Sequence, residues 1–242
     1  MTPPPGPEGH QENIKVYVRV RAQEGSSRCL TVNREVGEIV LHAAQDDRVF
    51  TFDHVGDGET TQAEVMSEVG LQLSEACMAG YNATIFAYGQ TGAGKTYTMM
   101  GGDGESRGLT PRVLDHLFSL MAREERIAEG TLRFHCKGSY LEIHNDQITD
   151  LIDPLALTAG AAASGGGFVA PPHLKLREDA TRGIYVENLT EEGLESADDA
   201  LRTLTSGAAQ RQVGCTAMNK ESSRSHAVFT LTIQAVRSAA DG

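Results

Sequence analysis

The stretch Gly89-Gln90-Thr91-Gly92-Ala93-Gly94-Lys95-Thr96 constrains this chain more than any other eight residues. It fits G-x-x-x-x-G-K-[ST], and the spacing has a chemical reason. Glycines let successive backbone N–H groups turn inward around a phosphate, and a helix starting at the turn adds positive potential. Lys95 is spaced to reach the outer phosphates, and the Thr96 hydroxyl to hold Mg²⁺. At ordinary glycine usage, a chance match somewhere in such a chain is about 1%. The context fits as well, because the apolar run Ala83–Tyr88 reads as a strand feeding the turn. The same glycines make a poor dinucleotide fingerprint, since they stand at 89, 92 and 94, out of G-x-G-x-x-G order. The pattern therefore points to a nucleoside tri- or diphosphate with Mg²⁺. The competing reading is an ordinary glycine-rich turn carrying a surface lysine.

Composition narrows the setting. The 242 residues carry 21 Lys plus Arg against 33 Asp plus Glu, a net charge of -12. That balance argues against nucleic acid as a partner, which calls for a basic face. No apolar run is long enough to cross a bilayer, so no membrane insertion is expected. Cys29, Cys77, Cys136 and Cys215 are scattered without a CxxC pair, against a zinc ribbon or a disulfide scaffold. A reduced, intracellular protein is expected, with no secretory leader in the Pro-rich start.

Along the chain, residues 1–12 read as a disordered tail. Strands are expected at Ile14–Val20, Glu38–His42 and Arg48–Phe52. Thr61-Gln-Ala-Glu64 is a capping box, followed by Val65, Val69, Leu73 and Cys77 at helical spacing and by Gly80 as a stop. Thr110-Pro111 predicts a helix start, with Val113, Leu114, Leu117, Phe118 and Met121 on its apolar face. Phe134–Ile143 reads as a strand, and residues 154–172 as a low-complexity Ala/Gly/Pro loop insertion. Leu174–Arg177 and Gly183–Val186 read as a strand pair. Ser196-Ala-Asp-Asp199 reads as a second capping box opening a helix expected to run to about Gly207, and Ala227–Ile233 is a β-prone strand. Interleaved strands and helices predict an α/β class with a mixed, largely buried sheet. The segment 183–200 carries six acidic residues and no Lys or Arg, and reads as a solvated acidic face.

A second polar stretch, Asn219-Lys-Glu-Ser222-Ser223-Arg224-Ser225-His226, precedes that last strand. Its hydroxyls and amide could wrap a γ-phosphate and order Mg²⁺ and water. Alone, it could equally be a polar loop with an N-cap serine. His226 as a base, and His135 with Cys136 as metal ligands, are better read as structural, since the ligand spacing is poor.

The two stretches together resemble the kinesin motor domain. Gly80–Met99 resembles that family's P-loop region and Asn219–His226 its switch I. Ser139–Asn145 with Asp150–Ile152 resembles the central strand motif. Gly108-Leu-Thr-Pro-Arg112 resembles the segment after the P-loop helix, and Ile14–Arg21 the first strand. The resemblance implies a P-loop NTPase-type three-layer α/β/α fold over residues 13–242. It implies ATP or ADP with Mg²⁺ as ligands, microtubules as partner, and a cytoplasmic, cytoskeletal location. Residue by residue, Gly89 to Thr96 would hold the phosphates, with Thr96 and Ser223 on Mg²⁺. Asn219 and Ser222 would face the γ-phosphate, and Arg224 would make the ion pair that closes switch I. Arg19 and Tyr97 would lie along the adenine. Ala22 stands where the family has a proline against the base, so weaker base stacking is expected.

One departure is larger. No D-x-x-G follows His226, after which only 16 residues remain. The family's switch II, and the helices that form most of its microtubule face, have no counterpart in this sequence. The expectation is an incomplete motor that hydrolyses ATP poorly, with any dimerisation through segments outside this chain. The alternative is a non-motile nucleotide-binding or interaction module; another P-loop enzyme, such as a kinase, has only the loop to support it.

Overall fold

The computed structural model describes residues 14–22, 29–153, 173–181, 183–218 and 225–238. The expected tail at 1–12 and the insertion at 154–172 lie outside the described residues. The chain divides into two compact units, Met1–Ala76 with Asn82–Leu109, and Cys77–Tyr81 with Thr110–Gly242.

Among the described residues the first unit holds five short strands: β1 (Tyr17–Arg19), β2 (Leu30–Asn33), β3 (Glu38–Leu41), β4 (Arg48–Thr51) and β5 (His54–Gly56). β1 pairs in parallel with β5, while β2, β3 and β4 form an antiparallel sheet. The β1 ladder is shorter than the alternation at 14–20 predicts, although Val20 N still donates to Gly56 O at 2.8 Å. A helical stretch follows as α1 (Gln62–Val65), a π turn (Met66–Gly70) and α2 (Leu71–Met78). The capping box forms as read: Thr61 Oγ1 accepts from Glu64 N, and the Glu64 carboxylate accepts from Thr61 N at 2.7 Å. Two orphan donors of the first turn are thereby satisfied. Of the apolar series Val65 is buried and Val69, Leu73 and Cys77 are half-buried, and Met66, off that series, is buried as well.

The strand expected at Ala83–Tyr88 does not form: no ladder includes it among the described residues. Phe86 and Tyr88 are 74% and 90% exposed, their rings stacked 6.5 Å apart. An apolar run becomes a strand only where neighbours take up its backbone N–H and C=O groups. α3 (Lys95–Met99) then starts at the end of the glycine-rich turn.

α4 (Leu109–Ile127) starts one residue before Thr110, which lies inside the helix and is not its cap. Pro111 is tolerated there because a first-turn N–H has no intrahelical acceptor. Leu114, Leu117 and Met121 line the buried face as expected. Each such side chain contributes about 1.5–3 kcal/mol on burial.

The second unit is built on β6 (Leu132–His144), β7 (Gln147–Asp150), β8 (Lys175–Asp179), β9 (Gly183–Glu187), β10 (Glu192–Leu194), α5 (Ala197–Met218) and β11 (Ser225–Arg237). The strand order is β10-β6-β11, with β7 also on β6 and all pairs antiparallel. β8 and β9 form the expected hairpin. β6 buries Leu132, Cys136, Tyr140 and Leu141, whereas no residue of β11 is fully buried. Asp150 is buried with its carboxylate accepting from the amides of Ile152, Asp153 and Thr190. Three backbone donors make that burial sustainable.

α5 does not stop near Gly207 but runs on to Met218. Gly207 is there for close approach: a Cβ on it would sit 2.4 Å from Tyr140 Cδ1. At the helix start, Ser196 Oγ accepts from Asp199 N at 3.1 Å, while the Asp199 carboxylate accepts from Glu195 N at 3.0 Å.

Candidate functional site

The glycine-rich loop turns through residues of positive φ. Gly92 and Gly94 take φ of +79° and +100°, and Gly94 is the left-handed residue from which α3 starts. A side chain at Gly94 would meet open space, so the demand there is conformational and not steric. Lys95 Nζ donates to Gly89 O at 2.8 Å and Gln90 O at 2.9 Å. The ammonium therefore lies against the loop whose residues Gln90, Thr91, Gly92 and Ala93 are exposed. Thr96 is exposed on the first turn of α3, and its hydroxyl oxygen is the hard donor type that Mg²⁺ prefers.

Beside the loop, Arg19 on β1 holds its guanidinium 5.4 Å from the Tyr97 ring centroid. That is cation–π range. Arg19 Nη1 donates to Gln62 Oε1 at 2.9 Å and Thr98 Oγ1 at 3.1 Å, and Nη2 donates to Thr60 O at 2.8 Å. Gln62 Nε2 in turn donates to Tyr97 O at 2.7 Å and to Ser106 O at 3.3 Å. Arg21 Nη1 reaches the loop tip, donating to Gly92 O at 3.0 Å. Ala22 packs against Gly58, where an added Cβ would come within 2.9 Å of Ala22 Cα.

Of the residues named from the sequence, Arg19 and Tyr97 lie against each other, and Tyr97 directly follows the loop Gly89–Thr96. Asn219, Ser222, Ser223 and Arg224 lie outside the described residues. The first described residue after them, Ser225, is held by Arg211, whose Nη2 donates to Ser225 O at 3.0 Å and to Ser225 Oγ at 2.8 Å. Arg211 Nε donates to Glu142 Oε1 at 2.8 Å, tying α5 to β6.

Gln62, Thr98, Arg21 and Arg211 were not singled out from sequence. A signal existed for Gln62: it stands with Val65 and Val69 at i, i+3 and i+7, a polar residue on an apolar stripe. Arg21 and Arg211 carry no such pattern.

The acidic segment at 183–200 is not merely solvated. Glu187 pairs with Arg177, Glu191 with Lys137, and Asp199 with Arg202, while Glu192 accepts from Thr203 Oγ1. The hydrogen bond from Ser196 holds the Asp199 carboxyl below its usual range. Cys136 is buried, with Sγ 3.6 Å from Met121 Sδ, and burial pushes its thiol up. No group of three or more His, Cys, Asp or Glu residues is arranged to hold a metal ion among the described residues.

Against known proteins, the family model described as Kinesin motor domain matches residues 6–242. The chain belongs to the kinesin motor-domain family. It is 43% identical over 234 residues to kinesin-like protein KIF15 of Strongylocentrotus purpuratus, covering 91% of this chain and 15% of that protein. It is 40% identical over 240 residues to kinesin-like protein KIN-12B of Arabidopsis thaliana, covering 95% of this chain and 17% of that protein. Among solved structures it is similar to that of a fast kinesin, described with its implications for ATPase mechanism and interactions with microtubules. That match has a TM-score of 0.79 and 31% identity, covering 92% of this chain and 60% of the other. The kinesin chain thus spans about a sixth of the length of these curated relatives. Its mixed α/β architecture is that of the kinesin fold.

Proposed function

We propose that this chain binds ATP and ADP with Mg²⁺ at Gly89–Thr96, as the nucleotide-binding part of an ATP-driven microtubule motor. The observation that carries the reading is the loop itself: glycines at positive φ, Lys95 folded against it, and the Arg19–Tyr97 stack beside it. In this reading the loop amides and Lys95 take the phosphates, and the adenine lies along Arg19 and Tyr97. Thr96 and Ser223 supply oxygens for Mg²⁺, which when bound neutralises charge building on the phosphates. Asn219 and Ser222 face the γ-phosphate and position water, and Arg224 closes the segment by an ion pair. The location is cytoplasmic and microtubule-associated. Family membership over residues 6–242 supports these assignments.

A second reading is a nucleotide-binding module without motility. One observation favours it: Ala83–Tyr88 lacks a ladder among the described residues, and a strand feeding a catalytic loop normally has neighbours to steady it. Steady-state phosphate release by the purified chain, with and without microtubules, separates the readings. Microtubule-stimulated turnover that is lost in Ser223→Ala supports the motor. Tight Mg-ADP binding with no stimulated turnover supports the module.

A further inference from the structure

Gln62 is 2% exposed, yet its amide is fully engaged. Only one orientation of that amide satisfies its surroundings. Guanidinium N–H groups only donate, and the carbonyls of Tyr97 and Ser106 only accept, so Oε1 must face Arg19 and Nε2 the two carbonyls. The side chain therefore fixes two things at once. It holds the Arg19 guanidinium on one side and the backbone of Tyr97 on the other, the two halves of the stack 5.4 Å apart. The capping box at Thr61 and Glu64 sets the start of α1 and so where Gln62 enters. Arg19 keeps two other acceptors, Thr98 Oγ1 and Thr60 O, but only Gln62 hydrogen-bonds both the Arg19 guanidinium and the Tyr97 carbonyl.

We infer that Gln62 is a positioning residue that sets the Arg19–Tyr97 platform, and through it the affinity and selectivity for the nucleoside base. This rests on the nucleotide reading above and extends it to a residue that touches no nucleotide. Gln62 makes no hydrogen bond to Gly89–Lys95, so phosphate binding is independent of it.

The test uses the full chain with Gln62→Met, which fills similar volume without the three hydrogen bonds, and Gln62→Glu, which turns an oxygen toward two carbonyls. Binding of Mg-ADP, Mg-GDP and magnesium tripolyphosphate is measured for each, with ligand-free unfolding as the folding check. Both variants should bind Mg-ADP about tenfold more weakly, because part of the lost hydrogen-bond energy is felt where the base would stack. Their preference for ADP over GDP should narrow, and tripolyphosphate affinity should stay within about twofold. Equal losses for ADP and tripolyphosphate, or unchanged base preference, overturn the inference while leaving the nucleotide reading standing. Wild-type chain that binds neither ligand overturns the nucleotide reading, and this inference with it. If neither Gln62 variant unfolds cooperatively, Thr98→Val severs the other side-chain tie of Arg19. The same selective loss there supports the inference, and equal losses overturn it.

Discussion

Arg211 on α5 and Glu142 on β6 form an ion pair at 2.8 Å with only 24% and 16% of their side chains exposed. The same guanidinium holds the main chain and hydroxyl of Ser225, where β11 begins. One residue thus ties a helix, the central strand of the second unit and the entry of the next strand. Removing one partner of such a pair strands the other in a poorly hydrated place. Arg211→Ala should cost about 2–3 kcal/mol by urea unfolding. Arg211→Lys should recover part of that, because it keeps the charge but loses the fork. A loss under 0.5 kcal/mol, the ordinary surface range, would show that the pair does not anchor this junction.

Gly207 sets two rules against each other. Replacing a helical glycine with alanine gains about 1 kcal/mol of propensity. Here the new Cβ would sit 2.4 Å from Tyr140 Cδ1 and 3.2 Å from Leu151 Cβ. The ring cannot yield cheaply, since Tyr140 is buried and edge-on to Phe229 at 5.9 Å. Overpacking of this kind costs about 1–3 kcal/mol or more. Gly207→Ala should therefore lower the unfolding midpoint, and a raised midpoint would contradict the packing.

Glu64 carries the clearest pH signature. The hydrogen bond from Arg34, then those from Thr61, lower its carboxyl from 4.5 to about 2. A group whose folded value lies below its unfolded value stabilises fully above the unfolded one, and the gain fades as pH falls through the folded one. Stability should fall between about pH 4.5 and 2, and Glu64→Gln should flatten that part of the profile. An unchanged slope in the variant would assign the acid loss to other carboxyls.

The capping box offers a simpler check. Thr61→Ala removes the acceptor for Glu64 N and should cost about 1 kcal/mol by thermal unfolding. No change would mean the helix start is set by Gln62 and the apolar face alone.

Much of this was legible in the sequence where the signal is local. The capping box, the β8–β9 hairpin and the face of α4 follow from spacing within a few residues. The glycine-rich loop was readable because its chemistry demands contiguous residue types. What failed was non-local. Ala83–Tyr88 has strand composition, but a ladder depends on neighbours that composition cannot supply. The end of α5 was misplaced because Gly207 reads as a stop by propensity, whereas its place is set by the Tyr140 ring. β5 and β10 are three residues each, too short to show a period. The Arg19–Gln62–Tyr97 network joins residues up to 78 apart, and only its two ends matched a known pattern.

The central claim, that Gly89–Thr96 is a working nucleotide site, is tested most directly by thermal unfolding with and without Mg-ADP, beside Lys95→Ala. At a hundredfold excess over its dissociation constant, a ligand stabilises the fold by about 2.7 kcal/mol. For a chain of this size that is a rise of about 5–10 °C. The account predicts that rise in the wild type and its loss in Lys95→Ala. No rise in the wild type, or an equal rise in both, would contradict it.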